Sequence, residues 1–588
     1  MFRSKETGGH LRFRRVLLAC AAAAVCTTLA LPANGQTPLK GRAKFCSELG
    51  KTIQASSGAQ MYCFGPQRNG PGEGAQRHAE ALAQPATTGL ANVNAASTFE
   101  DRTNSGAYIG GQSETSIAAS GNYVVEAWND GTGFYAACGS PNYKEELTGY
   151  GFSSDGGKTF TDLGGLPNQN CVNGTHWSGD PSVGTYSNSG FTYFYISSLY
   201  ACNFFPSCPN TGLQASLAVA VTACQVTGAT LSCGQPTIVA TGNCNGITNT
   251  PPNNCSPALD KDYLVVDQAH KRLYVTFTDF TFTYNGHIGT SQNAIEMAAC
   301  DLDNPMAPVC SNGTTNGAPY VTVQPTDPAG CEQEGAYPAV RASTGDVYVA
   351  YEYNWGTNLF GNSYCVNSAS TLVFVNQVPG FCLPDPDRTP TSPCAPPFNQ
   401  NSNIIVSTDA TIVPGYNRFL MNDFPRIAVS EPYHTVSLVW NDARNSPLGD
   451  ILLQSYDLDS LNYIQQSPVQ LNTDYSFEDM HTMPGLKNTS SDGLLNVTWY
   501  DRRGADAGSG RTDIYGALNL KPTVTSTPAS NLKVTNQATD WLATSSVIVP
   551  NFGDYTDNFV SASNTLFIAW SDGRIGVPQP FEAHTGVH

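Results

Sequence analysis

Acids and arginines recur at comparable places along this chain, and their types define the chemistry to be tested. Asp554 stands beside Tyr555, Asp501 is followed by Arg502 and Arg503, and Asp180, Glu334, Arg444 and Arg574 occupy similar places elsewhere. Hydrolysis of a glycosidic bond needs two carboxyl groups flanking that bond, or a tyrosine nucleophile activated by a neighbouring acid. Asp554, Tyr555 and Asp501 are the candidates for that work. Arg444, Arg502, Arg503 and Arg574, with Asp180 and Glu334, are the candidates for holding substrate, because a guanidinium grips a carboxylate through two parallel hydrogen bonds. Two plainer readings compete. Buried ions must be paired, so a repeated W-x-D-x-R is also the pattern of a clasp between neighbouring elements. Converging carboxylates and carbonyls equally make a hard-cation site, with calcium as the ion that suits them and no ligand set yet assignable.

The elements that carry these residues repeat. An apolar strand, a short turn and a second strand ending in an aromatic and often an acid recur in seven copies: 116–130, 181–198, 263–279, 338–352, 425–442, 484–501 and 558–572. Their spacing of roughly 60–90 residues is that of one supersecondary unit used many times. A third strand follows each copy, and a fourth follows the first six: KTFTDL, PTIVAT, PYVTVQP, NIIVSTD, PVQLNTD and NLKVTN. The seventh copy ends before a fourth strand, while ANVNAAS (91–97) stands unassigned ahead of the first. Four-stranded units in a ring, with the first strand in sequence completing the last unit, hide every sheet edge. The expectation is therefore an all-β chain, a β-propeller of four-stranded blades closed by an N-terminal strand. Seven blades follow from the count, or six if 181–198 is an insertion.

In that arrangement the start of the first strand and the end of the second lie at one end of each antiparallel pair. Glu114, Asp180, Asp262, Glu334, Asp423, Asp479 and Asp554 precede the first strands, and Asp130, Asp279, Glu352, Asp442, Asp501 and Asp572 end the second. Both sets are expected on one face of the disc, around its central channel.

Composition narrows the class. Only 13% of the 588 residues are charged, with 55 Gly and 38 Pro, which suits short strands and tight turns rather than helical bundles. The formal net charge is −18 from 29 basic and 47 acidic residues, so phosphate backbones and anionic lipid would repel the chain. Nucleic-acid binding is not expected. Residues 1–35 read as a signal peptide, with Arg12, Arg14 and Arg15 before an apolar stretch from Val16 to Leu31 and small residues at Ala33-Asn34-Gly35. No later segment reads as a membrane span. The 16 cysteines that remain after Cys20 and Cys26 are an even number in an exported chain, which implies disulfides. Short spacings point to Cys46/Cys63, Cys202/Cys208, Cys224/Cys233, Cys244/Cys255, Cys300/Cys310 and Cys382/Cys394, although spacing alone does not fix connectivity. Residues 36–66 are expected to form a small segment stapled by Cys46/Cys63, 67–90 a linker rich in Gly, Ala, Gln and Pro, and 91–588 the propeller.

The segment Ser153-Ser154-Asp155-Gly156-Gly157-Lys158-Thr159-Phe160 resembles the Asp-box, S-x-D-x-G-x-T-[WF], of the sialidase-like propellers built from bacterial neuraminidase repeats. Ser455-Tyr456-Asp457 is similar to a reduced copy of it, and Cys224/Cys233 and Cys300/Cys310 flank the same turn in two other units. SGDPS (178–182), ALDKDYLVVD (258–267), DFPRIAV (423–429), WYDRR (499–503) and FGDYT (552–556) resemble segments of exported sialidase-like proteins, so that the resemblance spans roughly 90–588. It implies a propeller acting on extracellular glycans or glycoproteins, with an exo-glycosidase of acidic terminal sugars as the activity. Sialidases also share an early F-R-I-P segment carrying a substrate-binding arginine, and DFPRIAV is a different motif lying late in the chain. The alternative is a non-catalytic propeller that binds a glycan or a protein. Oligomeric state is not legible.

Overall fold

A computed structural model describes residues 46, 56, 59, 63 and 89–588, apart from 99–109, 137–145, 172–173, 203–216, 243–252, 285–290, 311–319, 327–332, 354–369, 381–396, 409–410, 412, 418–420, 475–478 and 506–508. Side chains at 253–257, 281–284, 291–292 and 370–371 are also outside the description. The expected signal peptide and nearly all of the expected linker lie outside the described residues.

The described chain is almost entirely β, with a short helix at Gly131–Ala136 and helical backbone at Cys46, Ala59 and Cys63. Each of the seven repeat copies forms an antiparallel strand pair, as in Gln112–Ser120 with Tyr123–Asp130 and Leu495–Asp501 with His481–Asn488. In each unit the third strand pairs with the second, and further strands extend the sheet outward. The second and third units are joined by a parallel contact at Ala258 and Leu217, giving one 11-stranded sheet. The expected strand in 91–97 is present as Val93–Asn94, which pairs with Glu582 and Phe581 of the last unit. It thereby adds a fourth strand to the sheet of that unit.

Local chemistry explains the hairpins. Asn188 and Phe191 close a two-residue turn in which Ser189 and Gly190 both have positive φ (53° and 83°). Such turns twist in the sense that the flanking strands require. Alternate apolar residues on the strands then pack between units rather than within one. Val439, Ile451 and Leu453 of the fifth unit meet Leu486, Val497 and Trp499 of the sixth, and Tyr274, Ile295 and Met297 of the third meet Val347, Val349 and Tyr351 of the fourth. Ile117, Ala119 and Val124 of the first unit pack on Phe567 and Ala569 of the last. Trp128, Trp440, Trp499 and Trp570 hold the same place in four units and are at most 1% exposed, so each fills an inter-sheet layer.

The turn at 153–160 is tied by its own side chains. The Ser153 hydroxyl donates to Asp155 Oδ1 (2.8 Å), and Asp155 accepts from the Thr159 amide (3.0 Å) and hydroxyl (2.7 Å). These donors, Thr159 foremost, pull the Asp155 pKa down to about 2. Replacing Asp155 by alanine is expected to lower stability by about 1–2 kcal/mol, the usual cost of deleting a side-chain cap, and urea unfolding would measure it. Asp457 similarly accepts from the Ser460 amide (2.9 Å) and hydroxyl (2.8 Å). The disulfides Cys46–Cys63, Cys224–Cys233 and Cys300–Cys310 form, the last two across paired residues of adjoining strands. Cys202 is also disulfide-bonded, whereas Cys208, Cys244, Cys382 and Cys394 lie outside the described residues.

Candidate functional site

Where the innermost strands begin, the backbone departs from regular pairing. Register shifts fall between Ser113 and Ser116, Asp260 and Tyr263, Glu334 and Tyr337, and Thr482 and Gly485. Within these bulges Glu114, Lys261, Gly335 and Met483 have φ between 53° and 70°, and Asp180, at the matching place in the second unit, has φ 57°. A bulge re-aims the side chains it carries. For a residue other than glycine, this left-handed conformation costs about 1–2 kcal/mol, which surrounding contacts must offset.

The offset is a buried ionic cluster. The Lys261 ammonium lies 2.5 Å from Asp554 Oδ2, 3.2 Å from Asp180 Oδ2 and 3.6 Å from Glu114 Oε1. All four side chains are sealed from solvent, at most 1% exposed. Asp554 Oδ1 accepts from the Tyr416 hydroxyl (3.0 Å) and the Asn422 amide (3.4 Å), and the Asp554 backbone amide donates to Glu114 Oε1 (3.2 Å). Asn129 donates to Glu114 Oε2, and its carbonyl oxygen accepts from the Asp180 amide (2.6 Å). Burial, reinforced by the charge of Asp180, drives the Glu114 carboxyl well above the ordinary range. Burial alone would depress the Lys261 amine, but Asp180, Asp554 and Glu114 outweigh it and raise its pKa.

An aromatic cage adjoins this cluster. The Tyr555 ring centre is 5.9 Å from the Lys261 nitrogen, and its hydroxyl donates to the Pro181 carbonyl (3.3 Å). The Arg426 guanidinium, 1% exposed, faces the rings of Tyr337, Tyr263 and Tyr555 at 4.7, 4.9 and 5.6 Å. Burial, above all, raises the Tyr555 phenol far from the range in which it ionises. An activated tyrosine nucleophile needs the opposite.

The remaining predicted residues lie elsewhere. Asp501 Oδ2 accepts from Trp499 Nε1 (2.8 Å) and from Arg503 Nε (2.9 Å) and Nη2 (2.6 Å). Asp442 with Trp440 and Arg444, and Asp572 with Trp570 and Arg574, repeat the arrangement. At all three places the tryptophan, aspartate and arginine meet within one unit, and the arginine also reaches the preceding unit, as the clasp reading expects: Arg444 Nη2 donates to the Ile404 carbonyl (2.6 Å), Arg503 Nη1 to the Thr473 hydroxyl (3.3 Å) and Arg574 Nη1 to Asn536 Oδ1 (2.6 Å). Arg502 is separate: its Nη1 donates to the Pro414 carbonyl (3.3 Å), and burial lowers its pKa. Glu334 is paired in register with Glu352 across the first two strands of the fourth unit. Of the nine predicted site residues, Asp180, Asp554 and Tyr555 come together.

Lys261, Glu114 and Arg426 complete that cluster and were absent from the predicted site. Their signal was present: a lone lysine between two aspartates in ALDKDYLVVD, and an arginine opening an otherwise apolar strand in DFPRIAV. A cation on an inner strand of an acidic chain must find carboxylates or aromatic faces.

Two groups of ligand-type side chains occur among the described residues. Glu146, Cys171 and His176 include a disulfide-bonded cysteine. Asp474, His481 and Asp501 already hold a cation, because Arg503 Nη2 lies 3.1 Å from Asp474 Oδ1 and 2.6 Å from Asp501 Oδ2. Neither donor set suits calcium, which takes six or more oxygens.

In the second group His481 Nε2 sits 2.8 Å from Asp474 and Nδ1 faces the Gly449 carbonyl at 3.0 Å. Burial opposes the imidazolium, but Asp501 and Asp474 outweigh it and raise the His481 pKa. A histidine raised on folding stabilises the protein fully below its unfolded pKa of ~6.5, and that stabilisation is lost as pH rises through the folded value. The difference in melting temperature between the protein and His481→Gln is therefore expected to shrink from mildly acidic to mildly alkaline pH.

A cavity of about 210 Å³ is lined by Glu146, Tyr150, Leu163, Gly165, Leu166, Pro167 and Asn168. Glu146 Oε1 accepts from Asn168 (2.8 Å), His176 Nδ1 lies 3.5 Å from Oε2, and burial raises the Glu146 carboxyl.

No family model matches the chain, and no curated protein does. Among solved structures it is similar to the phage phi92 endosialidase at 9% identity and TM-score 0.35, over 85% of this chain and 69% of that one. It is similar to the Hadza microbial sialidase Hz136 at 12% and 0.36, over 75% and 73%. A Mycobacterium tuberculosis puromycin-hydrolyzing peptidase gives 9% and 0.37, over 83% of this chain and 53% of that one. Likeness at this level transfers no residue role.

Proposed function

We propose that this protein is an exported, sialidase-like β-propeller of seven blades, closed by Val93–Asn94, that binds extracellular glycans without cleaving them at its centre. The observation that carries this reading is the sealing of Lys261 with Glu114, Asp180 and Asp554, each at most 1% exposed. A hydrolase needs two carboxyl groups open to the sugar, one of them with a water or a nucleophile to deliver. Here three acids surround one ammonium, and the neighbouring tyrosine is held protonated by burial. Recognition then falls to the surface, where the cavity beside Tyr150 and Asn168 offers a ring face, an amide and a carboxyl, the mixture that a sugar's apolar and hydroxyl faces require. Export is supported by the disulfides, three of which join described residues. Among the described residues no helix is long and apolar enough to cross a membrane.

The purified mature protein should be applied to a glycan array and, separately, incubated with mixed glycans, including sialylated ones, with released monosaccharide followed by mass spectrometry. Binding without release is expected. Release that disappears in Asp554→Asn would overturn the reading and place hydrolysis at the centre. A second reading, an exo-glycosidase of acidic terminal sugars, is favoured by Glu146, which lines a cavity and whose carboxyl burial raises, the direction that a general acid requires. It predicts release that disappears in Glu146→Gln.

A further inference from the structure

The geometry points to a covalent cross-link that the protein makes in itself: we propose that Lys261 Nζ and Asp554 Cγ join as an amide, binding the third unit to the seventh. Four features place the reaction here. The amine nitrogen is 2.5 Å from Asp554 Oδ2, so folding holds it directly against the carboxyl group whose carbon it would join. Both side chains are sealed from solvent, at most 1% exposed, and an amide formed there is not exposed to hydrolysis. Oδ1, the oxygen that takes up negative charge when nitrogen adds to Cγ, is already held by the Tyr416 hydroxyl at 3.0 Å and the Asn422 amide at 3.4 Å. Donors fixed where charge develops lower the barrier to addition. Finally, Glu114 Oε1 lies 3.6 Å from the same nitrogen, so that a shift of about half an ångström brings it into hydrogen-bond contact to carry protons.

The step balances without any outside reagent. The ammonium passes one proton to the Asp554 carboxylate across their contact, giving the neutral amine and acid from which addition starts. The nitrogen lone pair forms the bond to Cγ. Glu114 takes a second proton from nitrogen and returns one to Oδ2, which departs as water when the Cγ–Oδ2 bond breaks. Oδ1 becomes the amide oxygen, still bonded to Tyr416 and Asn422, and Glu114 ends as it began. Burial, which raises the Glu114 carboxyl, makes its carboxylate a stronger base towards the proton on nitrogen. Joining residues 261 and 554 encloses most of the propeller in one covalent loop. Asp180, 3.2 Å from the amine, balances charge beside the reacting pair.

The test is the mass of the whole mature protein, reduced, alkylated and denatured. The expected mass is one water below the sequence mass. Trypsin should fail to cut after Lys261 and release one branched peptide holding both Lys261 and Asp554. Lys261→Arg, which keeps the charge but cannot form the amide, should have its full mass, and Glu114→Gln should close slowly or not at all. Separate linear peptides containing Lys261 and Asp554, each at full mass from the unaltered protein, would overturn the proposal whether or not any variant folds. Loss of water at another residue would overturn it too. Closure of Glu114→Gln at the unaltered rate would remove Glu114 from the step.

Discussion

Lys261→Met is expected to be among the most damaging single substitutions in this protein, costing about 3–5 kcal/mol. The methionine fills nearly the same space, so the loss is electrostatic rather than a cavity. Glu114, Asp180 and Asp554 would be left converging on a neutral side chain, with no solvent to screen them. One or more must then take up a proton, so the damage should be greater at neutral pH than at pH 5. Adding Asp554→Asn and Glu114→Gln to Lys261→Met should recover part of the loss, because it removes charges that no longer have a partner. Urea midpoints of the single and triple variants at two pH values decide the matter. A single variant as stable as the unaltered protein at neutral pH would mean that the buried acids do not depend on Lys261.

The second large effect is expected at Asp501. Asp501→Asn keeps the size of the side chain but removes the charge on which Trp499, Arg503 and His481 converge. The Arg503 guanidinium would keep Asp474 as its anionic partner at 3.1 Å, so the loss is partial, about 2–4 kcal/mol. Asp442→Asn and Asp572→Asn break the same clasp in the fifth and seventh units and should cost comparable amounts. Similar falls in melting temperature at all three places are the signature of a repeated structural device. A variant at Asp501 that unfolds normally yet abolishes a measurable turnover, while the other two retain it, would instead mark Asp501 as catalytic.

Much of the fold was legible because it rests on local, repeated signals. The alternation of apolar residues, the Asn-Ser-Gly and Ser-Gly-Asn turns and the recurring aromatic-acid endings place strands within a few residues of where they occur, from Gln112–Ser120 to Thr565–Asp572. Short cysteine spacings gave Cys224–Cys233 and Cys300–Cys310 for the same reason, since a hairpin returns its ends to one another. The pairing of Val93–Asn94 with the last unit was legible too, from a seventh copy lacking a fourth strand. The W-x-D-x-R spacing likewise announced a clasp. Asp and Arg two residues apart at a strand's end face the same way, although their pairing within one unit was visible only in the folded chain.

The candidate site belongs to the tertiary structure. Nothing local links Glu114, Asp180, Lys261 and Asp554, which come from the first, second, third and seventh units. Their meeting depends on bulges at the inner strand ends, where residues such as Glu114 and Lys261 adopt positive φ against their own preference. Period-two patterning predicts which face a side chain takes along a regular strand, and a bulge breaks that rule at the place where it matters. Sequence alone thus determined an acidic all-β repeat chain with its charged residues gathered at strand ends. Only the packing of several units around one point decided which of those charges meet, and that they meet out of reach of water.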